Sequence, residues 1–171
     1  MANNRKAQYA IYKGKGGRNG AVQFNLIPFQ SGRKRDDGKE ADAGFVLIEA
    51  ARTTAPDVYD WANKIKFAMD VDDLGKFIVG ITKDCDIFHK YDRYNLVKKL
   101  NLKYQEYKGE DTWMLSLSQR SNGGDWENTT IPVTANEMAV LNELMRKAIC
   151  IIRGWDGEPQ PPWNDGESSD E

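Results

Sequence analysis

The side chains that could perform catalysis are few, and they do not form a recognisable active-site pattern. The densest group of reactive side chains comprises Asp84, Cys85, Asp86 and His89. Alternate residues of a strand point to opposite faces, so a solvated strand edge accounts for this group without a metal. Cys85 and Cys150 lie outside any CxxC pair, and a zinc site with one histidine would need carboxylate ligands. We therefore predict a protein that is not an enzyme, with no catalytic residue, no metal and no cofactor.

Residues 14–20 (GKGGRNG) form a basic, glycine-rich segment between two stretches with strand-like alternation. The dinucleotide-binding pattern GxGxxG fails because Asn19 takes the place of the third glycine. Glycines let backbone N–H groups approach phosphates closely, and Tyr12 supplies a ring for base stacking. The segment is thus typical of a nucleic-acid contact, although a solvated loop has the same composition. Its basic side chains are Lys13, Lys15 and Arg18.

Charge is unevenly distributed along the chain. The 171 residues contain 24 Lys and Arg against 26 Asp and Glu, a net charge of −2. Residues 1–39 nevertheless hold nine bases and two acids, whereas residues 154–171 hold six acids and no base. A basic front and an acidic end indicate a polyanionic partner. A separate run of bases in a polar loop, which could clamp phosphates or remain solvated, is Arg33, Lys34 and Arg35.

The hydrophobic periodicity predicts an α+β fold in which four strands and a helix occur twice. The first helix begins at Asp70, a good N-cap, and ends at Gly80. The second begins at Thr134, where Glu137 completes a capping box, and ends at Gly154. The predicted strands are residues 9–13, 22–27, 45–50, 59–67, 85–89, 96–103, 112–119 and 126–131.

A sheet covered by a helix on one side leaves its other face open, and alternation indicates which residues lie there. Even positions are mostly apolar within residues 96–102, and odd positions within residues 59–67. Phe24, Trp61 and Phe67 are accordingly expected in the core. The polar side chains expected on open faces are Gln23, Asn25, Lys64, Lys66, Lys99 and Lys103.

The composition changes after residue 156. From Gly157 onward Pro, Gly, Ser and acids dominate without periodicity, so we predict a folded domain over residues 1–156 and a disordered acidic tail over residues 157–171. Such a tail could simply solubilise the protein, compete for its basic surface, or recruit replication or repair proteins. An apolar tryptophan among acids favours recruitment. The residues assigned to partner binding are Trp163, Asp165, Glu167, Asp170 and Glu171.

Other features of the sequence indicate the cellular location of the protein. No apolar run approaches the roughly 18 residues needed to cross a bilayer, and residues 1–6 lack the apolar stretch of a secretory signal. Two cysteines without a disulfide pattern suit a reducing compartment. We expect a cytoplasmic location, in bacteria or in a virus-infected cell, and no membrane partner.

Four segments resemble the Whirly family of single-stranded-DNA-binding proteins. Residues 11–15 (IYKGK) resemble the start of the family's KGKAAL segment, and residues 59–61 (YDW) match its YDW. Residues 85–89 (CDIFH) are similar to its CEFFH, and residues 131–134 (IPVT) are similar to its last strand. The resemblance covers about residues 9–156, and the segments occur in the family's order.

The resemblance implies two ββββα units that form two antiparallel four-stranded sheets packed against two helices. It also implies a tetramer joined through the helices, with single strands bound along the sheets largely without sequence preference. Lys13 and Lys15 match the family motif and are carried over as nucleic-acid or assembly residues. Gly16 and Gly17 replace two alanines of that motif, so a more flexible hairpin is expected. The family's plant members carry transit peptides and none is visible here, which favours a phage or bacterial member.

From these observations we predict a protein that binds single-stranded DNA and protects it in replication, recombination or repair. Two alternatives stay open: a transcription regulator that binds melted promoter DNA, and an RNA-binding or annealing protein. The apolar width of the second helix favours a homo-oligomer.

Overall fold

Two antiparallel sheets, each followed in sequence by one helix, make up the fold. The structure is a computed structural model, in which residues 8–17, 19–28 and 44–155 are described. The first sheet contains β1 (Gln8–Tyr12), β2 (Gly20–Ile27), β3 (Phe45–Ala55), β4 (Val58–Tyr59) and β5 (Ile65–Met69). The second contains β6 (Cys85–Tyr91), β7 (Leu96–Tyr107), β8 (Glu110–Ser121) and β9 (Glu127–Thr134). Helix α1 (Val71–Lys83) follows β5, and α2 (Ala135–Arg153) follows β9. The predicted α+β class with two sheets and two helices is confirmed.

The strand order is simple in both sheets. The first runs β1-β2-β3-β5, and the short β4 pairs with the far end of β3. The second is the meander β6-β7-β8-β9. Among the strands that the structure describes, β5 pairs with β3 alone and is therefore an edge strand.

The prediction of one strand over residues 59–67 is wrong. Val58–Tyr59 and Ile65–Met69 are separate strands joined by the 3-10 turn Trp61–Asn63. Asp60 starts the turn, because its carboxylate accepts a hydrogen bond from the Asn63 backbone N–H at 3.2 Å. Trp61 therefore leaves the alternation and is half-buried, whereas Phe67 is in the core as predicted. Within the described residues the first sheet has five strands instead of the predicted four.

Both helices begin where the sequence predicts, but α1 continues beyond its predicted end. The Asp70 carboxylate accepts from the Asp73 N–H at 2.9 Å and starts α1. The helix runs through Gly80 to Lys83, because Gly80 is buried against β6 instead of ending the helix. A Cβ at this position would lie 2.6 Å from the Cys85 Sγ.

The caps of α2 agree with the prediction at both ends. The Thr134 hydroxyl accepts from the Glu137 N–H, and the Glu137 carboxylate accepts from the Thr134 N–H at 2.9 Å. Gly154 ends the helix with a left-handed φ of 69°, a conformation that a residue without a Cβ adopts at no steric cost.

The apolar faces of the two sheets and the inner faces of both helices enclose one core. Phe24, Phe67 and Phe77 are its largest fully buried side chains, so the core assignment of Phe24 is confirmed. Trp113 of β8 ties the second sheet to α1 through a 2.9 Å hydrogen bond from its indole N–H to the Ile81 carbonyl. Neither helix in the described part of the chain is long and apolar enough to span a membrane.

A buried acid–imidazole pair connects α1 to β6. The Asp73 side chain is 5% exposed, and its carboxylate accepts a 2.7 Å hydrogen bond from His89 Nε2. The His89 ring stacks on Phe67 with centroids 4.5 Å apart. Burial raises the pKa of Asp73, but the hydrogen bond and charge of His89, with help from Lys76, outweigh it and lower the pKa below its usual value.

Candidate nucleic-acid interface

The open face of the second sheet presents basic and polar side chains on neighbouring strands. Lys99 of β7 lies opposite Phe88 of β6 and Ser118 of β8, and Lys103 lies opposite Met114. Residues on the other side of β7, such as Leu100, are buried beneath the helices. Lys99 and Lys103 therefore share the open face, as the alternation predicts.

Four side chains on this face bring cations and aromatic rings together, and we call them the Trp126 cluster: Phe88, Lys99, Arg120 and Trp126. The Lys99 ammonium lies 4.3 Å from the centroid of the Trp126 ring and 5.8 Å from that of Phe88. The Arg120 guanidinium lies 4.9 Å from the Trp126 ring. Phe88 and Trp126 are both exposed. Within the described residues neither Lys99 nor Arg120 has a carboxylate within 4 Å.

The chemistry of the Trp126 cluster suits a ligand that is both flat and anionic. Exposed rings stack with the π faces of nucleobases, and cations beside them attract phosphate. A base stacked on the indole would bring its phosphate close to these two cations. The cluster thus provides stacking and charge neutralisation at one point on the sheet.

The open face of the first sheet is more nearly neutral than the sequence predicts. Its Lys64 ammonium lies 2.8 Å from the Glu49 carboxylate, and that of Lys66 lies 4.0 Å from the same oxygen. Glu49 is only 9% exposed. The register sets Glu49 between Gln23 and Lys66, and the Gln23 amide donates to the Asn25 side chain at 3.0 Å. The predicted residues share this face, but Glu49 offsets part of its positive charge.

The β1–β2 hairpin divides the predicted basic residues between two environments. The Lys13 ammonium forms a 2.8 Å ion pair with Glu137 of α2, which ties the hairpin to the helix cap. Lys15 is exposed and, with Tyr12 and Lys13, lines a groove of about 550 Å³ that reaches Pro132 of β9. The Tyr12 ring is also exposed and packs edge-on against Tyr59 at 5.5 Å.

The remaining sequence-predicted residues lie outside the described part of the chain. This applies to the basic side chains Arg18, Arg33, Lys34 and Arg35. It applies equally to the tail, with Trp163, Asp165, Glu167, Asp170 and Glu171.

The group Asp84, Asp86 and His89 is dispersed by the fold. Asp84 accepts from the Tyr104 N–H at 2.7 Å, Asp86 pairs with Asn101, and His89 turns to the other face toward Asp73. No group of three or more His, Cys, Asp or Glu in residues 8–17, 19–28 and 44–155 is arranged to hold a metal ion. Burial and the nearby Asp86 charge raise the pKa of the Cys85 thiol to about 11, so this cysteine is not a thiolate nucleophile at neutral pH.

Sequence reasoning missed Phe88, Arg120 and Trp126. The alternation that selects Lys99 could have found Phe88, because Phe88 is out of phase with the buried Ile87. Trp126 carries no such signal, since it precedes β9 and its position over Lys99 depends on the fold of three strands.

Comparison with known proteins connects this architecture to one family. The family profile described as "Whirly transcription factor" matches residues 11–144. The chain is 30% identical over 158 residues to "Single-stranded DNA-binding protein WHY1, chloroplastic" of Zea mays, a match that covers 86% of this chain and 56% of the maize protein. The protein of the same name from Solanum tuberosum is 28% identical over 154 residues, a match that covers 86% of this chain and 54% of the potato protein. The chain thus spans about half the length of these relatives.

Solved structures agree with the sequence comparison. The structure of the "plant transcriptional regulator PBF-2" superposes with a TM-score of 0.70 at 27% identity, and covers 86% of this chain and 82% of that one. The crystal structure of WHY3 from Arabidopsis thaliana shares the fold with a TM-score of 0.71, at 24% identity over 86% of this chain and 89% of that one. From the profile match, the two sheets with their helices and these superpositions together, the chain belongs to the Whirly family.

Proposed function

We propose that this protein binds single-stranded DNA on the open faces of its sheets, largely without sequence preference. The observation that carries the proposal is the Trp126 cluster, in which two cations lie over one exposed indole ring. The similarity to proteins named as single-stranded-DNA-binding supports the same ligand. Protection of exposed strands in replication, recombination or repair, without enzymatic activity, is the role that we infer from this binding.

The proposed mechanism combines a salt-dependent contribution with a base-dependent one. Lysines and arginines that neutralise phosphates release counterions, so affinity falls as salt rises. Rings that stack with bases contribute about 1–3 kcal/mol per base. Duplex DNA has its bases already stacked and paired, so the second contribution is available only to single strands.

The wild-type protein should therefore bind a 30-nucleotide oligo-dT at least tenfold more tightly than a duplex of equal length. Fluorescence anisotropy with each labelled DNA, at several salt concentrations, measures this ratio. Light scattering on the same samples reports the oligomeric state with and without DNA. Equal affinity for the single strand and the duplex would contradict the proposed mechanism.

Glu49 should limit the affinity of the first sheet for DNA, because its carboxylate holds Lys64 and Lys66. Replacing Glu49 by glutamine removes this charge, and we expect Glu49→Gln to bind oligo-dT about three- to tenfold more tightly at low salt. A steeper dependence on salt should accompany the gain, since more lysine charge is available to phosphates.

Glu110→Gln is the matched control for this change. Glu110 starts β8 and has no lysine or arginine partner among the residues that the structure describes. If both variants tighten binding equally, the effect is one of net charge and Glu49 has no specific role.

The proposal also covers the oligomeric state of the protein, the role of its acidic segment and its location in the cell. We propose a homo-oligomer, with a tetramer favoured, joined through the helices, where Val79 of α1 and Val140 of α2 are exposed apolar side chains. The acidic segment after residue 156 is proposed to compete with DNA or to bind replication or repair proteins. A cytoplasmic location is proposed with it.

A second candidate is a regulator of transcription. It is favoured by the family's description as a transcription factor and by the likeness to PBF-2. A regulator of this kind should discriminate between single strands of different sequence, and an oligonucleotide-selection assay tests this directly. A related RNA-binding role is tested by competition between DNA and RNA oligomers of one sequence.

A further inference from the structure

A row of polar side chains crosses the open face of the second sheet beside the Trp126 cluster. Its members are cross-strand partners on β6, β7, β8 and β9, and we call them the Asn101 row: Asp86, Asn101, Ser116 and Thr130. The row lies two residues along β6 from Phe88 and two along β7 from Lys99, a separation of about 7 Å. The Asn101 row and the Trp126 cluster are therefore neighbours on one surface.

The hydrogen bonds within the Asn101 row leave acceptors free at one end. The Asn101 amide donates to the Asp86 carboxylate, and the Ser116 and Thr130 hydroxyl oxygens lie 2.7 Å apart. A carboxylate has about four lone-pair sites, so one bond to Asn101 leaves both Asp86 oxygens able to accept. Asp86 is exposed, and no lysine, arginine or histidine of the described residues lies within 4 Å of its carboxylate. This end of the row presents hydrogen-bond acceptors to solvent.

Lysines lie on both sides of the Asn101 row. Lys99 precedes Asn101 and Lys103 follows it on the same face of β7. Lys103 lines a depression of about 410 Å³ together with Asp86, Asn101 and Ser116. The phosphates of a strand on this face are attracted to the two lysines, which offsets their repulsion by Asp86. A carboxylate in this position can therefore face a base without expelling the strand.

Unpaired bases differ in what their edges offer to a carboxylate. Guanine carries two adjacent donors, the N1–H and the N2 amino group, whereas thymine has one N–H between two carbonyl oxygens that a carboxylate repels. Adenine and cytosine each place one amino group beside an acceptor nitrogen. These edges are free in a single strand, and hydrogen bonds to an ionised acceptor are stronger than neutral ones. The two oxygens of a carboxylate thus match guanine best.

We propose that Asp86 gives the protein a preference for guanine at one position of a bound single strand, where its carboxylate accepts from guanine N1–H and the N2 amino group. Asn101 is a positioning residue, because its amide holds the carboxylate on this face. The inference rests on the proposed function, and it adds one base-selective contact to binding that is otherwise indifferent to sequence.

Three single strands of equal length test the preference: oligo-dT, the same strand with one central dG, and the same strand with one central deoxyinosine. Inosine is a purine that stacks as guanine does but lacks the N2 amino group. In anisotropy titrations the wild-type protein should bind the dG strand about fivefold more tightly than the other two. One guanine suffices, because every other register on the strand is equivalent.

Asp86→Asn should abolish the preference for dG while binding oligo-dT at least as tightly as the wild type, because it removes a negative charge near the phosphates. Glu110→Gln removes the same charge at the far end of β8 and should keep the preference. Trp126→Ala should weaken binding to all three strands alike, because stacking does not require the N2 amino group. Circular dichroism verifies that each variant is folded.

The outcomes separate this inference from the proposed function. If the wild-type protein binds none of the three strands, the proposed function itself fails. If it binds all three equally, only the role of Asp86 fails. Equal gains from dG and deoxyinosine would assign the preference to purine stacking, and a preference that persists in Asp86→Asn would assign it to another residue. Either result overturns the inference.

Discussion

Trp126→Ala should lower the affinity for oligo-dT by about 30-fold, equivalent to about 2 kcal/mol from the loss of one base-stacking ring. The expected loss is large because the indole is the centre of the Trp126 cluster, with Lys99 at 4.3 Å and Arg120 at 4.9 Å. Its removal takes away the stacking surface and the ring that both cations share, and leaves Lys99 with Phe88 alone. Anisotropy titration at fixed salt measures the change.

Two controls distinguish a stacking role from a structural one. Trp126→Phe keeps a ring and should retain most of the affinity. Trp155→Ala removes an exposed tryptophan just after α2, outside every strand, and should bind as the wild type does. Wild-type affinity in Trp126→Ala would remove the observation on which the proposed function depends.

His89→Ala should lower the free energy of unfolding by about 3 kcal/mol, because it leaves the buried Asp73 carboxylate without its main partner. Lys76 lies 3.4 Å from that carboxylate, but its exposed ammonium replaces the lost hydrogen bond only in part. The stack on Phe67 disappears as well. Urea unfolding followed by circular dichroism measures the difference.

The same pair makes stability depend on pH. The pKa of Asp73 is lower in the folded protein than in the unfolded chain, so its contribution is complete above the unfolded value of about 3.8. The contribution is lost as pH falls through the lower folded pKa. Wild-type stability should therefore decrease below about pH 4, and His89→Ala should lose less over the same range. An identical acid profile in both proteins would contradict this account of Asp73.

The parts of the fold that depend on local sequence were predictable. The capping box of Thr134 and Glu137 and the glycine at 154 set both ends of α2, because each cap involves residues only a few positions apart. Alternation likewise placed Lys99 and Lys103 on an open face. It failed near Trp61, because the Asp60 side chain diverts the backbone into a turn, and it failed at Gly80, because the contact with Cys85 is visible only once α1 and β6 are packed.

The candidate site was harder to predict, because it depends on pairing between strands. Alternation assigns a residue to a face without naming its neighbours. Alternation assigns Lys64 and Lys66 to one face, but it does not reveal their shared partner Glu49. Glu49 lies on β3, and only the pairing register between β3 and β5 brings it beside them. Lys99, Arg120 and Trp126 lie on three separate segments of the chain, so no single stretch of sequence contains the Trp126 cluster.

Because the Cys85 thiol is protected from chemical labelling, the second cysteine of the chain becomes the preferred site for attaching a probe. With a pKa of about 11, Cys85 is almost entirely protonated at neutral pH and reacts slowly with maleimides. Cys150, the second free cysteine, lies on α2 and away from both open faces. A maleimide dye should therefore label Cys150 in preference to Cys85, so fluorescence can test the proposed association through the helices while the open faces of both sheets keep their native side chains.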